Sequence, residues 1–274
     1  MGKFVLDSQS EVAKTLVFPL YFRARESQRP DALIKDERAV ELIDKISYDF
    51  SQLKFEDHDQ VGIVLRTRKI DRHVQDFLSR HPEGIVVHIG CGLDLRFERV
   101  DNGQVEWYDL DLPPVIELRQ EMIGEEGERH HLVGCSVLEN AWLETVSIHR
   151  PRPFLFLAEG VFTYFEETQV KSLFLKIRDH FPGAELVCDA TSPLIVRLNN
   201  LRTSRTKIGI RYHWGLKQAK DVENWGEDIR LLDEWYLFDE PVPRLGASHR
   251  WMRIIPQLAK SLGILHFQLG KVNP

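Results

Sequence analysis

Three groups of residues have types and spacing suited to chemistry, and each directly follows a short strand-like run. Ile85-Val86-Val87-His88-Ile89 ends in Gly90-Cys91-Gly92, and glycines at the carboxyl end of a strand let the backbone approach a nucleotide-like ligand closely. Val105 to Tyr108 ends in Asp109-Leu110-Asp111, placing a carboxylate where it can accept hydrogen bonds from the two hydroxyls of a ribose. Residues two apart on a strand share a side, so Asp109 and Asp111 both qualify; the one not used is solvated or caps the helix opening at Pro113. Phe154-Leu155-Phe156-Leu157-Ala158 then delivers Glu159-Gly160, followed by Tyr164. Glu159 suits the amino group of a ligand. Its alternative use, capping the next helix, is already served by Glu166 and Glu167. A dinucleotide-binding turn continues to a third glycine, but three positions beyond Gly92 stands Leu95, which disfavours NAD and FAD.

The elements that must position these residues alternate. Strands are expected at Ile85 to Ile89, Val105 to Tyr108, His131 to Gly134, Phe154 to Ala158 and Ala184 to Asp189. Helices are expected between them at Pro113 to Ile123, Ala141 to Ile148 and Glu166 to Phe181, which implies a parallel sheet. Upstream, the chain reads as helical: Ser10 to Arg25 broken near Phe18-Pro19, Asp36 to Phe50, and Arg66 to Arg80, with no strand alternation. In the last of these, Ile70, Val74, Phe77 and Leu78 recur at helical spacing and leave Arg66, Arg68, Asp71 and Arg72 on other faces. Downstream, Ile195 to Asp228 lacks a clear period and reads as an inserted lid. Strands at Leu231 to Phe238 and Ile264 to Leu269, with a helix around Trp251 to Ser261, complete the chain. One domain is expected, made of a helical extension (1–83), a ligand-binding core (84–191), the lid (192–230) and C-terminal strands with a helix (231–274).

Composition removes several function classes. A net charge of -6 argues against nucleic acid as a partner, because phosphate neutralisation needs clustered Lys and Arg. No apolar run reaches membrane length and the start carries no signal-peptide core, so the expected place is the cytoplasm, with no membrane partner. Cys91, Cys135 and Cys188 are widely spaced, and the adjacent His130 and His131 point to opposite faces of a strand, so no metal site is expected.

The segment Val87 to Arg99 resembles the first motif of the leucine carboxyl methyltransferase family, as do Trp107 to Pro113 and Ala158 to Tyr164. Leu33-Ile34-Lys35-Asp36 and Leu65 to Asp71 extend the likeness, which runs from about Thr15 to Gly270. It is closer to the bacterial branch, similar to polyketide-biosynthesis O-methyltransferases of the tetracenomycin type, than to the branch that methylates a phosphatase tail. The resemblance implies an α/β fold with a doubly wound, mostly parallel seven-stranded sheet, a helical N-terminal extension, a lid, and S-adenosylmethionine as cofactor. It implies Asp111 as ribose ligand, Gly90 with its neighbours Cys91 and Gly92 under the methionine part, and Glu159 near the amino group. Lys35 and Arg66 would approach the methionine carboxylate or the acceptor. After the third strand the family usually places an acid that accepts from the adenine amino group. Here the stretch reads Gly134-Cys135-Ser136-Val137, so Ser136 would accept through a neutral hydroxyl, and more weakly.

Two mechanisms follow for an O-methyltransferase acting on a small molecule such as a polyketide or other secondary metabolite. A carboxylate acceptor is already anionic at neutral pH and needs no base, only alignment and exclusion of water; Arg66 would steer it and Tyr164 would line the approach. A hydroxyl acceptor must lose a proton, which calls for His213 or Tyr212 in the lid. The lid aromatics Tyr212, Trp214 and Trp225 either close over a flat acceptor or pack the lid on the body. The competing functions are methylation of a protein C-terminal leucine and cofactor binding without catalysis. The oligomeric state is not encoded in any pattern here.

Overall fold

Every side chain of Ile85-Val86-Val87-His88-Ile89 is buried, as expected of a central strand covered on both faces. In the computed structural model, which describes residues 4–5, 11–50, 57–124, 127–203, 211–240, 242–245 and 256–271, this strand is β1 (Ile85–Ile89). It is followed by β2 (Glu106–Asp111), β3 (His130–Gly134), β4 (Phe154–Ala158), β5 (Ala184–Thr191), β6 (Ile229–Tyr236) and β7 (Leu262–Leu269). They form one seven-stranded sheet in the order β3-β2-β1-β4-β5-β7-β6, parallel except for β7, which runs antiparallel to both β5 and β6. The chain winds outward from β1 to β3, then returns beside β1 as β4. That reversal opens a crevice at the carboxyl ends of β1, β2 and β4.

Register fixes what lines the crevice. Ile89 pairs with Leu110 and with Ala158, and Ala158 pairs with Cys188. The residues that follow, Gly90, Asp111, Glu159 and Asp189, therefore fall in one row along the sheet edge.

The helices are α1 (Glu11–Ser27), α2 (Glu37–Lys45), α3 (Asp57–Arg80), α4 (Arg96–Val100), α5 (Pro113–Ile123), α6 (Ala141–Ser147), α7 (Glu167–His180), α8 (Pro193–Thr203) and α9 (Pro256–Ala259). On one face of the sheet, Ile70, Val74 and Phe77 of α3 pack with Val86, Trp107, Leu155 and Leu157. On the other, Val170, Leu173, Phe174 and Ile177 of α7 pack with Trp142, Phe156 and Phe181. Helix α7 starts on Glu166, whose side chain accepts from the N3 backbone while Gln169 reaches back to the Glu166 amide, a reciprocal cap.

Several sequence-based boundaries are corrected. Helix α1 is not broken at Phe18-Pro19 but runs through Pro19. A mid-helix proline costs about 3 kcal/mol, and Val17, Leu20, Phe22 and Ala24, buried on both sides of it, offset that cost. Helix α2 stops at Lys45 rather than Phe50, because Ile46 turns extended and Ile46–Ser47 pairs in parallel with Phe4–Val5; this two-residue pair also corrects the expectation of no strand in the extension. Helix α3 begins at Asp57, well before Arg66. Strand β6 spans Ile229–Tyr236 and not Leu231 to Phe238, with Leu237–Asp239 forming a 3-10 turn instead. The C-terminal helix occupies Pro256–Ala259, and the start of the expected one, from Trp251, lies outside the described residues.

The stretch read as an aperiodic lid contains helix α8 and a 3-10 helix over Ala219–Trp225. Trp214 is buried against Phe162 and Trp225, and Trp225 meets Phe174 edge-on. These two indoles pack the segment onto the body. Asn200 holds Tyr212 by both main-chain groups, donating to its carbonyl at 2.7 Å and accepting from its amide at 2.9 Å.

Candidate functional site

The turn after β1 can be built only with glycine. Gly90 sits at φ 63°, its amide donates to the Leu110 carbonyl at 2.7 Å, and a Cβ there would lie 2.3 Å from Val161 Cγ2. Cys91 beside it is buried, and burial pushes its thiol far above the usual range, so it stays protonated and inert. The Gly92 amide donates to Asp111 Oδ2 at 2.8 Å, and the Leu112 amide donates to Oδ1 at 2.7 Å. Helix α5 therefore opens with Pro113 next to a carboxylate already held in place.

Asp109 and Asp111, equivalent in the sequence, have different surroundings. Asp109 is buried and saturated: Arg119 Nη2 donates to Oδ2, Trp107 Nε1 donates to Oδ1 at 2.8 Å, and His88 and His130 stand within 3.1 Å and 2.8 Å. Burial opposes its charge, but Arg119 and the two histidines hold its carboxyl far below the ordinary range. Asp111 has no cationic partner among these contacts; burial lifts its carboxyl above its usual value, with the Gly92 and Leu112 amides pulling it back. It is half-buried at the carboxyl end of β2, with acceptor capacity beyond the two amides it already binds.

Glu159 meets Arg66 of α3. Arg66 Nε donates to Glu159 Oε1 at 2.9 Å, Thr67 Oγ1 donates to the same oxygen at 3.0 Å, and Arg96 Nη2 donates to Oε2. Burial would raise the Glu159 carboxyl, but Arg66 and Arg96 hold it down to about 2. Arg66 Nη1 also donates to Asp189 Oδ2 at 3.0 Å, and the Gly160 amide donates to Asp189 Oδ1 at 2.8 Å. Asp189, Thr67 and Arg96 were not singled out in the sequence. Asp189 carried the same signal as Glu159, an acid directly after the buried run Leu186-Val187-Cys188.

From Glu159 the ionic chain runs inward. Arg96, fully buried, binds Asp71 at 2.6 Å and Asp94 at 3.2 Å. Arg99 binds Asp71, Asp94 and Asp36, and Arg23 of α1 binds Asp36 at 2.9 Å. Helices α1 to α4 and the end of β4 are thereby tied to one another by buried charges. Such charges are tolerated only because each has partners; stranding one costs about 3–5 kcal/mol.

The remaining expected residues are placed as follows. Lys35 is outside this cluster: its Nζ donates to the carbonyls of Ser27 at 2.7 Å and Arg29 at 3.4 Å, closing the end of α1. Ser136 and Val137 follow β3; the Ser136 hydroxyl accepts from the Leu138 amide at 3.3 Å, and the Val137 carbonyl accepts from Trp142 Nε1 at 3.0 Å. Glu139, the first acid after that stretch, is exposed. Tyr164 stacks on Tyr212 with ring centroids 5.6 Å apart, and burial, then Tyr212, pushes its phenol upward. His213 Nδ1 stands 2.6 Å from Glu166 Oε1 at the start of α7, not beside Glu159. Among the described residues no group of three His, Cys, Asp or Glu is placed to hold a metal ion, and no helix is long and apolar enough to cross a membrane.

One edge of the sheet thus offers a guanidinium and a carboxylate side by side, a glycine turn in close approach, and a rim carboxylate one strand away. A ligand with an α-amino acid at one end and a ribose at the other, as in S-adenosylmethionine, fits that donor set. The comparisons agree. Residues 17–178 match the family model described as leucine carboxyl methyltransferase. The chain is 32% identical over 262 residues to the tetracenomycin polyketide synthesis O-methyltransferase TcmP of Streptomyces glaucescens, covering 93% of this chain and 96% of that protein. It is 25% identical over 271 residues to the S-adenosyl-L-methionine-dependent methyltransferase dpfgK of Gibberella zeae, covering 92% and 89%. In fold it is similar to a Thermobifida fusca protein described as a candidate methyltransferase, at a TM-score of 0.56 and 17% identity over 95% of this chain and 98% of that one. The chain belongs to the leucine carboxyl methyltransferase family, and it is an S-adenosylmethionine-dependent methyltransferase.

Proposed function

We propose that this enzyme methylates an oxygen, carboxylate or hydroxyl, of a flat, largely apolar small molecule of the polyketide kind. The observation that carries the reading is the surface beyond the cofactor edge. Tyr164 and Tyr212 stack there as a flat wall, and α8, which follows β5 directly, leaves Leu194, Leu198 and Leu201 exposed. The near full-length likeness to a polyketide O-methyltransferase supports the same substrate class.

In this reading Asp111 holds the ribose hydroxyls, Glu159 the amino group and Arg66 the carboxylate of the cofactor. The Gly90-Cys91-Gly92 turn lies under its methionine part, and Ser136 with Val137 borders the adenine. The cofactor supplies an electrophilic methyl group on a sulfonium. Tyr164 lines the approach of the acceptor and excludes water from it. Lys35 is assigned to the extension that closes the site, through the end of α1. For a hydroxyl acceptor, His213 is the base: Glu166 lies at Nδ1 and leaves Nε2 for the proton. For a carboxylate acceptor no base acts.

The test is transfer of labelled methyl from S-adenosylmethionine to a panel of planar aromatic acids and phenols beside peptides ending in leucine. Label on the planar compounds is expected; label on the peptides alone, or cofactor binding without any transfer, sinks the proposal. With the labelled compound in hand, His213→Ala separates the two chemistries. It lowers kcat by roughly 100-fold or more for a hydroxyl and leaves a carboxylate substrate within a few-fold.

A further inference from the structure

Arg66 has to serve two masters if it is to bind the cofactor's carboxylate while paired with protein carboxylates, and the hydrogen bonds describe how. Nε is taken by Glu159 and Nη1 by Asp189, while Nη2 has no acceptor among the described residues. The forked end of the guanidinium stands over Gly160, where a Cβ would lie 3.5 Å from Nη2 and 3.6 Å from Nη1. Gly160 holds φ 69° and is itself pinned by its amide to Asp189 Oδ1. One carboxylate thus fixes both the cation and the turn it rests on.

We propose that Asp189 is a positioning residue of the cofactor site: by holding Arg66 Nη1 and the Gly160 amide, it keeps Nη2 directed at the carboxylate of S-adenosylmethionine. The inference rests on the assignment of Arg66 to that carboxylate. It adds that the Arg66–Glu159 and Arg66–Asp189 pairs stay formed when the cofactor binds, so that binding costs no rearrangement of buried charge. A flexible arginine in solution would lose rotamer entropy on each contact; one forked between two acids has already lost it. The cost is borne by Asp189, whose carboxyl is raised by burial even though Arg66 and Gly160 pull it down. Such an acid is unfavourable to folding in itself and is retained where its two donors need it.

The test compares Asp189→Asn with wild type, using S-adenosylmethionine and its decarboxylated form, which lacks only the group that Nη2 would bind. The substituted amide keeps an oxygen for the Gly160 N–H and removes the charge facing Arg66. The expected result is an increase of about ten-fold in KM for S-adenosylmethionine, kcat within about two-fold, and unchanged affinity for the decarboxylated form. Equal weakening of both ligands, or of neither, overturns the proposal, since a merely structural role affects them alike. Arg66→Gln separates the two levels. If it loses S-adenosylmethionine and keeps the decarboxylated form while Asp189→Asn does not discriminate, only the role of Asp189 fails; if it treats both ligands as wild type does, the underlying assignment fails. A crystal structure of the wild-type complex checks the same point without any variant. Arg66 should still contact Glu159 and Asp189 with Nη2 on the cofactor carboxylate, and an Arg66 swung away from Asp189 contradicts the proposal.

Discussion

The two sides of the crevice are built on opposite principles. The proposed cofactor side is buried and ionic: Glu159 has three donors, Asp109 is fully paired, and Arg96 binds three acids without touching solvent. The proposed acceptor side is exposed and apolar, with Leu198 and Leu201 at 47% and 60% exposure on α8 and Tyr164 partly open. A site that must hold one unchanging cofactor can afford a rigid, over-determined set of charges. A face that must accept one particular small molecule is better made of side chains whose loss costs the fold little, since surface changes are worth within about 0.5 kcal/mol.

That contrast is breakable. The largest effect is expected for Arg96→Ala, which strands Asp71, Asp94 and Glu159 at once. It should lower unfolding free energy by about 4 kcal/mol in a chemical denaturation experiment, and a loss below about 1 kcal/mol would mean that the ionic chain holds little together. Gly90→Ala adds a Cβ against Val161 and forces a left-handed backbone on alanine; about 3 kcal/mol of stability should go, with cofactor binding. Wild-type affinity in that variant would show that the turn can relax.

Acid should act on the same side. The Glu159 carboxyl is depressed from 4.5 to about 2 by Arg66 and Arg96 against the effect of burial. A group with a lowered folded pKa contributes stability above its unfolded value and loses it as pH falls through the folded one. Stability should therefore fall between about pH 4.5 and 2, and the slope in that window should be shallower in Glu159→Gln, as read by denaturant titration at successive pH values. The smallest effect is expected on the acceptor side, where Leu198→Ser should leave the unfolding free energy within about 0.5 kcal/mol and cofactor affinity unchanged, while altering KM for the acceptor. A large loss of stability there would erase the contrast.

The same contrast explains what was legible in the sequence. Strands β1 and β4, buried on both faces, write continuous apolar runs, and the residue after each run is the one the sheet delivers to the crevice, so the positions of Gly90 and Glu159 are legible directly; β2 leaves Asp109 and Asp111 equivalent, and only the family resemblance points to Asp111. Asp189 stands in the same position after its run but reads from the sequence as the last residue of a strand over Ala184 to Asp189; the strand in fact continues through it to Thr191. Arg66 and Asp71 read as residues on the polar faces of α3, yet both point into the ionic chain. Helical periodicity separates apolar from polar and does not tell a solvated charge from a paired one. The choice between Asp109 and Asp111 depended on Arg119, His88 and His130, three residues from three other elements, which no local pattern joins. The run of α1 through Pro19 and the packing of Trp214 were likewise decided by tertiary contacts.

In the proposed binding mode Asp111, and not its saturated neighbour Asp109, completes the cofactor side. Calorimetric titration of S-adenosylmethionine into wild type and Asp111→Asn tests it most directly. The expected result is an affinity at least about ten-fold weaker in the variant with its thermal unfolding midpoint preserved; equal affinity in the two proteins would contradict the account.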